Sequence, residues 1–270
     1  MSGFYIGVDG KARKVKGGYI GIDGKARKLK KGYIGDENGV ARLCWSAFDG
    51  DPVFANNTWE KIVEACQSGC VPDTWAVGDQ KTLSIGTSNY TIDIIGKNHD
   101  EYSDGSGKAP LTFQFHDMPV SGMKMNDPSS SVGGWAASNL RNVQLPVFFG
   151  TLPAVVRDAI REVNKYSGGG YQSTEVTLTQ DKLFFPSGIE LTGVVHADET
   201  AGEGKQYEYY AVDGTRRMKK PYQSSSKAVW WTRSAVTNRD AYFQGVSPDD
   251  GELVFYSAGR ANNIAPAFCF

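Results

Sequence analysis

The apolar residues near the end of this chain restrict its fold more than any other feature of the sequence. Residues 230–234 read Trp-Trp-Thr-Arg-Ser, and residues 264–270 read Ile-Ala-Pro-Ala-Phe-Cys-Phe. A chain end normally frays, so a final run this apolar predicts a last strand that is docked in the core against earlier strands. Residues 232–265 show no sustained helical or strand period. We expect them to form an irregular, exposed binding face on a rigid scaffold, the alternative being an ordinary surface loop.

The composition is that of a globular protein. The chain has 270 residues, 40% of them apolar and 12% aromatic, which is enough for one large or two ordinary domains with a packed core. Lys and Arg number 29 against 30 acids, which argues against nucleic acid as a partner. No apolar run approaches the roughly 20 residues that span a bilayer, and the first residues lack the apolar segment of a signal peptide. We therefore expect synthesis in the cytoplasm without Sec export, and no membrane insertion.

The amino-terminal residues repeat themselves with a period of 14. Tyr5–Lys14 recurs as Tyr19–Lys28 and, more loosely, from Tyr33 to Arg42. Asp-Gly between β-prone residues is a strong hairpin signal, because a type I′ turn needs positive φ at both central residues. Residues 1–42 are thus predicted to form three hairpins, with ten Lys or Arg against four acids, whereas the remainder has 19 against 26. Lone hairpins are marginal in water, so we expect self-association or docking onto a larger assembly; the alternative is a flexible basic tail.

From Leu43 onward the pattern mixes helices and strands. Three helices are predicted: one that begins at a cap on Thr58 or Asn57, a helix-rich stretch after Trp135, and one from Thr151 to Tyr166 with one apolar face. Gly168-Gly169-Gly170 is predicted to terminate the last of these helices. The predicted strands are 82–85 and 90–95, which form a hairpin, then 111–115, 183–186 and 207–210. Few helices flanking short sheets indicate the α+β class.

The cysteines indicate no disulfide framework. Cys44, Cys66, Cys70 and Cys269 are few and irregularly spaced, and a Cys-x3-Cys pair without a nearby His makes a poor zinc site. We expect free thiols, with Cys66 and Cys269 as small buried hydrophobes.

Candidate catalytic and metal-binding groups are sparse. His99-Asp100-Glu101 and His116-Asp117 are the only neighbouring His–acid pairs. Adjacent residues on a strand point to opposite faces, so neither pair forms a catalytic dyad by itself, and we expect no enzyme. Asp100, Glu101 and Asp104 could ligate a structural calcium ion, but they lack the full EF-hand series. A solvated hairpin loop is the favoured reading, and no cofactor is expected.

Several motifs together resemble a known family. They are Thr58-Trp59, Gly96–Asp100, Trp135 with Ser138 and Arg141, Lys182–Ser187, Trp230–Ser234, Asp250-Gly251 and Pro266–Phe268. From Leu43 to Phe270 their order resembles a bacterial and prophage domain of the C-type-lectin-like fold, on the formylglycine-generating-enzyme-like branch. The resemblance implies that the two apolar end segments support a displayed face. The formylglycine-generating enzymes use a late cysteine pair, whereas residues 71–270 hold only Cys269, so oxidase activity is not expected.

The resemblance also implies a biological setting. Relatives serve as receptor-binding proteins of phage tail fibres, and the amino-terminal repeats look like those of tail-tip proteins. We therefore expect a virion protein at the tail tip, an adhesin for a host-surface protein or glycan. Residues 1–42 would contact other tail proteins or form a homo-oligomer, with a trimer expected because tail tips often have threefold symmetry.

Some relatives are variable proteins of diversity-generating retroelements, so diversification of the face is a further hypothesis. The interval here is more heterogeneous than the Ser/Asn-rich runs common in that family. The alternatives are a bacterial carbohydrate-binding module and a structural tail component without a receptor.

The sequence thus predicts a C-type-lectin-like α+β domain at 43–270 with its display face at 232–265, preceded by hairpin repeats at 1–42. Tyrosines of the face would supply rigid contact area and arginines would supply charge-assisted hydrogen bonds. The expected ligand-binding residues are Val236, Thr237, Asn238, Arg239, Asp240, Tyr242, Gln244, Glu252, Val254, Tyr256, Arg260 and Asn262.

Overall fold

The computed structural model describes residues 5–8, 11–14, 19–28, 31–35, 41–46, 50–196 and 198–270. Within the first 49 residues, side chains are described only at positions 19, 21, 23–26 and 32. The chain divides into two compact units, Met1–Trp75 and Ala76–Phe270.

Each amino-terminal repeat forms one antiparallel hairpin, as the repeat predicts. The strands are β1 Tyr5–Val8, β2 Lys11–Lys14, β3 Tyr19–Ile22, β4 Lys25–Lys28, β5 Lys31–Gly35 and β6 Ala41–Ser46, and they pair in this order two by two. Asp23 and Gly24 turn the second hairpin at φ of 51° and 73°, the sign that a type I′ turn requires. The Asp9-Gly10 turn lies outside the described residues. The third hairpin runs on to Ser46, past the predicted boundary at residue 42.

The first unit also contains the helix α1, Trp59–Gln67, which follows a 3-10 turn at Phe54–Asn56. Thr58 caps α1, because the Lys61 amide donates to Thr58 Oγ1 at 3.4 Å. Ile62 and Cys66 are buried, as expected for apolar residues on one face of a helix. The prediction of this helix from its cap and its apolar spacing is confirmed.

The second unit contains a four-stranded antiparallel sheet that includes the end of the chain. Its strands are β7 Gln80–Ile85, β8 Ser88–Lys97, β9 Leu111–Phe115 and β17 Ala267–Cys269, in the order β17-β9-β8-β7. Phe268 lies opposite Phe113, and both are fully buried. Burial of such large apolar surfaces stabilises the last strand. The predicted hairpin, the strand at 111–115 and the docked final strand are confirmed.

A five-stranded sheet carries the predicted display interval. Its strands are β10 Val120–Met123, β13 Trp230–Ala235, β14 Tyr242–Val246, β15 Leu253–Ser257 and β16 Asn262–Ile264, in the order β10-β16-β13-β14-β15. Only β13 and β16 are parallel. The expectation of an interval without strand order is wrong, because β14 and β15 pair over five consecutive residues. Residues 243–246 of β14 are all buried, so no polar–apolar alternation marks the strand.

The helix predicted over 151–166 is largely wrong. Only α4, Ala154–Arg157, is helical there, and the segment continues as β11, Val163–Gly168, which pairs with β12, Val176–Asp181. The Arg161 amide donates to the Cys269 carbonyl at 3.0 Å, so the chain has joined sheet contacts before β11 begins. Tertiary pairing has overridden a helix-like spacing of apolar residues. The glycines at 168–170 consequently follow a strand and not a helix.

Two predicted strands are also wrong. Residues 207–210 form the cap and first turn of the helix α6, Glu208–Val212, and residues 183–186 make a single bridge, from Phe184 to Ala267. The remaining helices are α2 Gly134–Ala137, a π-helical turn Leu140–Gln144, α3 Leu145–Gly150, α5 Gly188–Thr192 and a 3-10 turn Gly214–Arg217. The first three confirm the helix-rich stretch after Trp135.

The described residues therefore form a mixed α/β structure, mostly sheet with few short helices. Cys66, Cys70 and Cys269 are free thiols, and Cys66 and Cys269 are buried as predicted. No helix within the described part of the chain has the length and apolarity to cross a membrane.

Candidate ligand-binding face

A buried charge network lies beneath the five-stranded sheet. Arg233 on β13 is fully buried and binds Glu190 through two bonds, Nη1–Oε2 at 2.5 Å and Nη2–Oε1 at 2.9 Å. Lys165 on β11 bridges Glu190 and Asp100 at 2.8 and 2.7 Å. Burial alone would raise the pKa of Glu190, but Arg233 and Lys165 hold that pKa below its ordinary value. The four groups form an alternating, charge-compensated chain.

Sequence reasoning missed this network, because its members are dispersed along the chain. One local signal was present: Ser187-x-x-Glu190 is a capping box, in which the Glu190 amide donates to Ser187 Oγ at 3.1 Å and the Ser187 amide donates to Glu190 Oε2 at 3.2 Å. That pattern predicts the start of α5 at residue 188, and α5 is the element that presents Glu190 to Arg233.

A second buried group lies next to the network. Ser234 Oγ contacts Glu199 Oε1 at 3.0 Å and also contacts Glu203 Oε2. Burial raises the pKa of Glu203 to about 7 and raises the pKa of Glu199 above its ordinary value. These carboxyls hold the segment 199–203 against the strand β13.

The exposed part of the sheet carries two arginine–aromatic clusters. In the first cluster, the Arg239 guanidinium carbon lies 5.4 Å from the Tyr242 ring centroid and 5.5 Å from that of Phe255. In the second cluster, Arg260 lies 4.3 Å from the centroid of Tyr256. These distances are within the range of cation–π attraction. Four predicted contact residues are thus brought together in pairs, and Phe255 is an additional member that sequence reasoning missed.

The two clusters lie on opposite faces of the sheet edge. Phe255 and Tyr256 are neighbours on β15, so their side chains point to opposite sides. Tyr256 packs edge-on against Trp231, with centroids 6.3 Å apart. The single display face predicted from the sequence is therefore divided by β15.

The backbone of the loop that carries Arg239 is held by three other segments. The Thr237 amide donates to the Asp198 carbonyl at 3.1 Å, and the Gln172 amide donates to the Thr237 carbonyl at 2.8 Å. Ser131 donates through Oγ to the Arg239 carbonyl at 2.9 Å and through its amide to the Asp240 carbonyl at 2.8 Å. The side chains of residues 238–240 are nevertheless exposed. The loop presents exposed side chains on an ordered backbone.

Three predicted contact residues are buried, so the structure corrects their assignment. Val236 and Gln244 are fully buried, and Asn262 is 4% exposed. Gln244 lies beneath α5, so close that a Cβ at Gly188 would come within 2.4 Å of Gln244 Oε1. Asn262 is the first residue of β16, and β16 lies between the strands β10 and β13 in the sheet. A ligand on the surface cannot reach these side chains.

The other predicted residues remain accessible but differ in their surroundings. Thr237 and Val254 are half-buried, whereas Asn238 is exposed and donates to Asp198 Oδ1 at 2.5 Å. Glu252 is exposed and forms an ion pair with Arg217 at 3.1 Å. The residues best placed to contact a ligand are Asn238, Arg239, Asp240, Tyr242, Phe255, Tyr256 and Arg260.

The candidate calcium ligands are not arranged as a calcium site. Asp100 is buried against Lys165, and Asp104 pairs with Arg161 at 2.5 Å. Donor atoms of His99, Asp100 and Glu190 lie within 4.8 Å of one another. The Lys165 ammonium, however, already binds the carboxylates of Asp100 and Glu190.

Each histidine of the two His–acid pairs contacts a residue from a distant part of the sequence. His116 Nδ1 contacts Asp93 Oδ2 at 2.8 Å, and Asp93 also accepts from Tyr209 at 2.9 Å. His99 stacks on the Tyr207 ring, with centroids 4.0 Å apart. Both histidines therefore have structural partners from other elements.

Comparison with known proteins places the second unit in a family. No curated protein and no solved structure matches the chain. A family model described as "Domain of unknown function (DUF6273)" matches residues 115–270, more than half of the chain. The matched region includes Lys165, Glu190, Arg233 and the whole five-stranded sheet. The chain therefore belongs to the DUF6273 family.

Proposed function

We propose that this chain is an adhesin that binds a ligand on a host-cell surface noncovalently through the first cluster, Arg239, Tyr242 and Phe255. The observation that carries the proposal is the combination of exposed side chains at residues 238–240 with backbone carbonyls of residues 237, 239 and 240 that are held by other segments. Binding that starts from an ordered loop avoids much of the entropic cost of ordering it. Aromatic and arginine side chains are also the groups that most often dominate binding energy at interfaces.

The fold that we propose for residues 43–270 is C-type-lectin-like, on the formylglycine-generating-enzyme-like branch. Two features support it. The final strand β17 is a buried edge strand of the four-stranded sheet, paired with β9, and β16 just before it belongs to the five-stranded sheet. The Trp230–Ser234 strand is buried along its whole length, as expected for a strand that supports a display loop.

The setting that we propose is a phage or prophage tail tip, with the amino-terminal hairpins as the attachment segment. The 14-residue repeat of the sequence and the Asp23-Gly24 turn of the second hairpin support this proposal. The receptor is a host-surface protein or glycan, and a retroelement that diversifies the exposed loop residues is compatible with a backbone held from outside the loop. Variation at 238–240 leaves the contacts of Ser131 and Gln172 in place, because those contacts use backbone atoms.

The experiment is a binding assay of the purified, labelled chain on whole bacterial cells of candidate hosts. We expect saturable binding to host strains and none to unrelated strains. Treatment of the cells with protease or with periodate then distinguishes a protein receptor from a glycan receptor. An absence of saturable binding to every strain that the parent phage infects would contradict the adhesin proposal and favour a structural tail component.

A further inference from the structure

A cavity separate from the display loop is lined by residues at the end of β8, on β11 and at positions 203–205. It has a volume of about 290 Å³. We call it the lysine cleft and define it by Lys97, Lys108, Asn164, Tyr166 and Lys205. Nothing in the mechanism proposed above uses these residues. The volume is at the lower end of the range for small-ligand sites.

The floor of the lysine cleft is rigid. It is formed by Asp100, Lys165 and Glu190, whose ion pairs are almost completely buried. His99 forms part of the wall and is held by its stacking on Tyr207. Gly204, with φ of +128°, allows the backbone to approach the floor, since a Cβ there would come within 2.6 Å of Glu190 Oε1. Such a floor keeps its shape when a ligand enters.

The rim of the lysine cleft is basic. Lys108 and Lys205 are exposed, and neither forms an ion pair with any residue that the structure describes. Glu101 is the exposed acid at the rim and lies opposite Lys108 across a β-bridge. Lys165 and Arg233 compensate the floor carboxylates Asp100 and Glu190, and burial raises the pKa of Glu203, a further acid of the lining, to about 7. This concentration of positive charge stands out, because acids outnumber bases after residue 42. A basic rim over a neutral floor attracts an anion.

Two further residues that line the lysine cleft fit a hydroxylated ring; they lie on the face of β11 opposite to Lys165, at the rim and not at the floor. The Tyr166 ring is 43% exposed and offers a flat apolar surface. The backbone amide of Asn164 donates to the Glu101 carbonyl at 2.9 Å, whereas its side-chain Oδ1 is buried without a hydrogen-bond partner. Buried polar atoms are normally paired, so a rotation of this side-chain amide onto a ligand hydroxyl would supply the missing bond.

We propose that the lysine cleft binds an anionic sugar, a pyranose that carries a carboxylate or a phosphate. Lys108 and Lys205 would bind the charged group, Tyr166 would stack on the ring, and the side-chain amide of Asn164 would bind a hydroxyl. The assignment is independent of the ligand bound by the Arg239 cluster.

The test is isothermal titration calorimetry of the full chain with four probes. Glucuronate and glucose 6-phosphate carry both ring and charge, glucose carries only the ring, and inorganic phosphate carries only the charge. We expect at least one charged sugar to bind at least tenfold more tightly than glucose and than phosphate, and the stronger of the two identifies the charged group. The double variant Lys108→Gln/Lys205→Gln should weaken that binding at least tenfold, about 1.4 kcal/mol, and Tyr166→Ala should weaken it severalfold.

Lys220→Gln is the matched control, because Lys220 is an exposed lysine outside the cleft; it should bind like the unmodified chain. Three results would each overturn the proposal: no binding of either charged sugar, phosphate binding as tightly as glucose 6-phosphate, or full binding by the double lysine variant. Circular dichroism of each variant confirms folding, which exposed lysine substitutions should not disturb.

Discussion

The hydroxyl of Ser234 has one hydrogen but two carboxyl partners, Glu199 and Glu203. It can donate to only one of them, while its oxygen already accepts from the Gly188 amide at 2.9 Å. The second contact requires a proton on the other carboxyl. Burial raises the pKa of both carboxyls and so favours the protonated form of a carboxyl in this pair. The raised pKa values of Glu199 and Glu203 therefore agree with the hydrogen-bond geometry at Ser234.

A pH dependence follows from this arrangement. The pKa of Glu203 is about 7 in the folded chain, against an ordinary value of 4.5. The folded state therefore binds more protons than the unfolded state between these values, so this group's contribution to stability falls as pH rises from about 4.5 through 7. We expect Glu203→Gln to remove that fall, on the order of 3 kcal/mol at most, because the amide stays neutral.

Urea unfolding between pH 4.5 and 8 measures this effect. Glu175→Gln, an exposed glutamate, serves as the control and should keep the pH slope of the unmodified chain. If the free energy of unfolding of Glu203→Gln depends on pH as it does in the unmodified chain, Glu203 carries no extra proton in the folded state.

At the scale of elements, predictability depended on whether the deciding contacts are local. The cap of α1 at Thr58 and the strand 111–115 follow from neighbouring residues, and both were predicted. Residues 151–166 and 207–210 were assigned wrongly, because the bond from Arg161 to Cys269 and the packing around Tyr207 come from distant segments. For the candidate site, Arg239 and Tyr242 were predicted from their position between two apolar anchors. Phe255 was missed because only the pairing of β15 with β14 places it beside Arg239 and Tyr242.

Two phenylalanines on strands provide a matched test of these element assignments. Phe268 on β17 is fully buried, whereas Phe255 on the edge strand β15 is only half-buried. Phe268→Ala should lower the free energy of unfolding by about 3–5 kcal/mol, since a large core side chain is removed. Phe255→Ala should cost less than about 1 kcal/mol. Urea midpoints measure both, and equal losses would mean that β15 is part of the core.

At the scale of the whole molecule, we propose that the repeats hold several copies of the chain together. A two-stranded hairpin leaves both outer edges without strand partners, and such edges favour pairing with other chains. Several copies held together would turn weak single contacts into firm attachment, with gains of about a hundredfold or more. The described third hairpin ends at Ser46, so the relevant deletion is of residues 1–46.

We expect this deletion to reduce the mass measured by light scattering to that of a single chain and to abolish incorporation into particles. The binding of one chain to one receptor should be unchanged. A truncated chain with the same number of copies per assembly, still incorporated into particles, would remove the assembly role from the hairpins.

We propose that the first cluster, Arg239, Tyr242 and Phe255, contacts the receptor without supporting the fold. The most direct measurement is the dissociation constant of the purified chain on host cells, by flow cytometry, for Arg239→Ala/Tyr242→Ala and for the control Arg157→Ala on α4. We expect the double variant to bind at least a hundredfold more weakly, as hot-spot residues do, with a melting temperature within a few degrees of the unmodified chain. The control should bind normally. Unchanged binding by a folded double variant would show that these side chains do not contact the receptor.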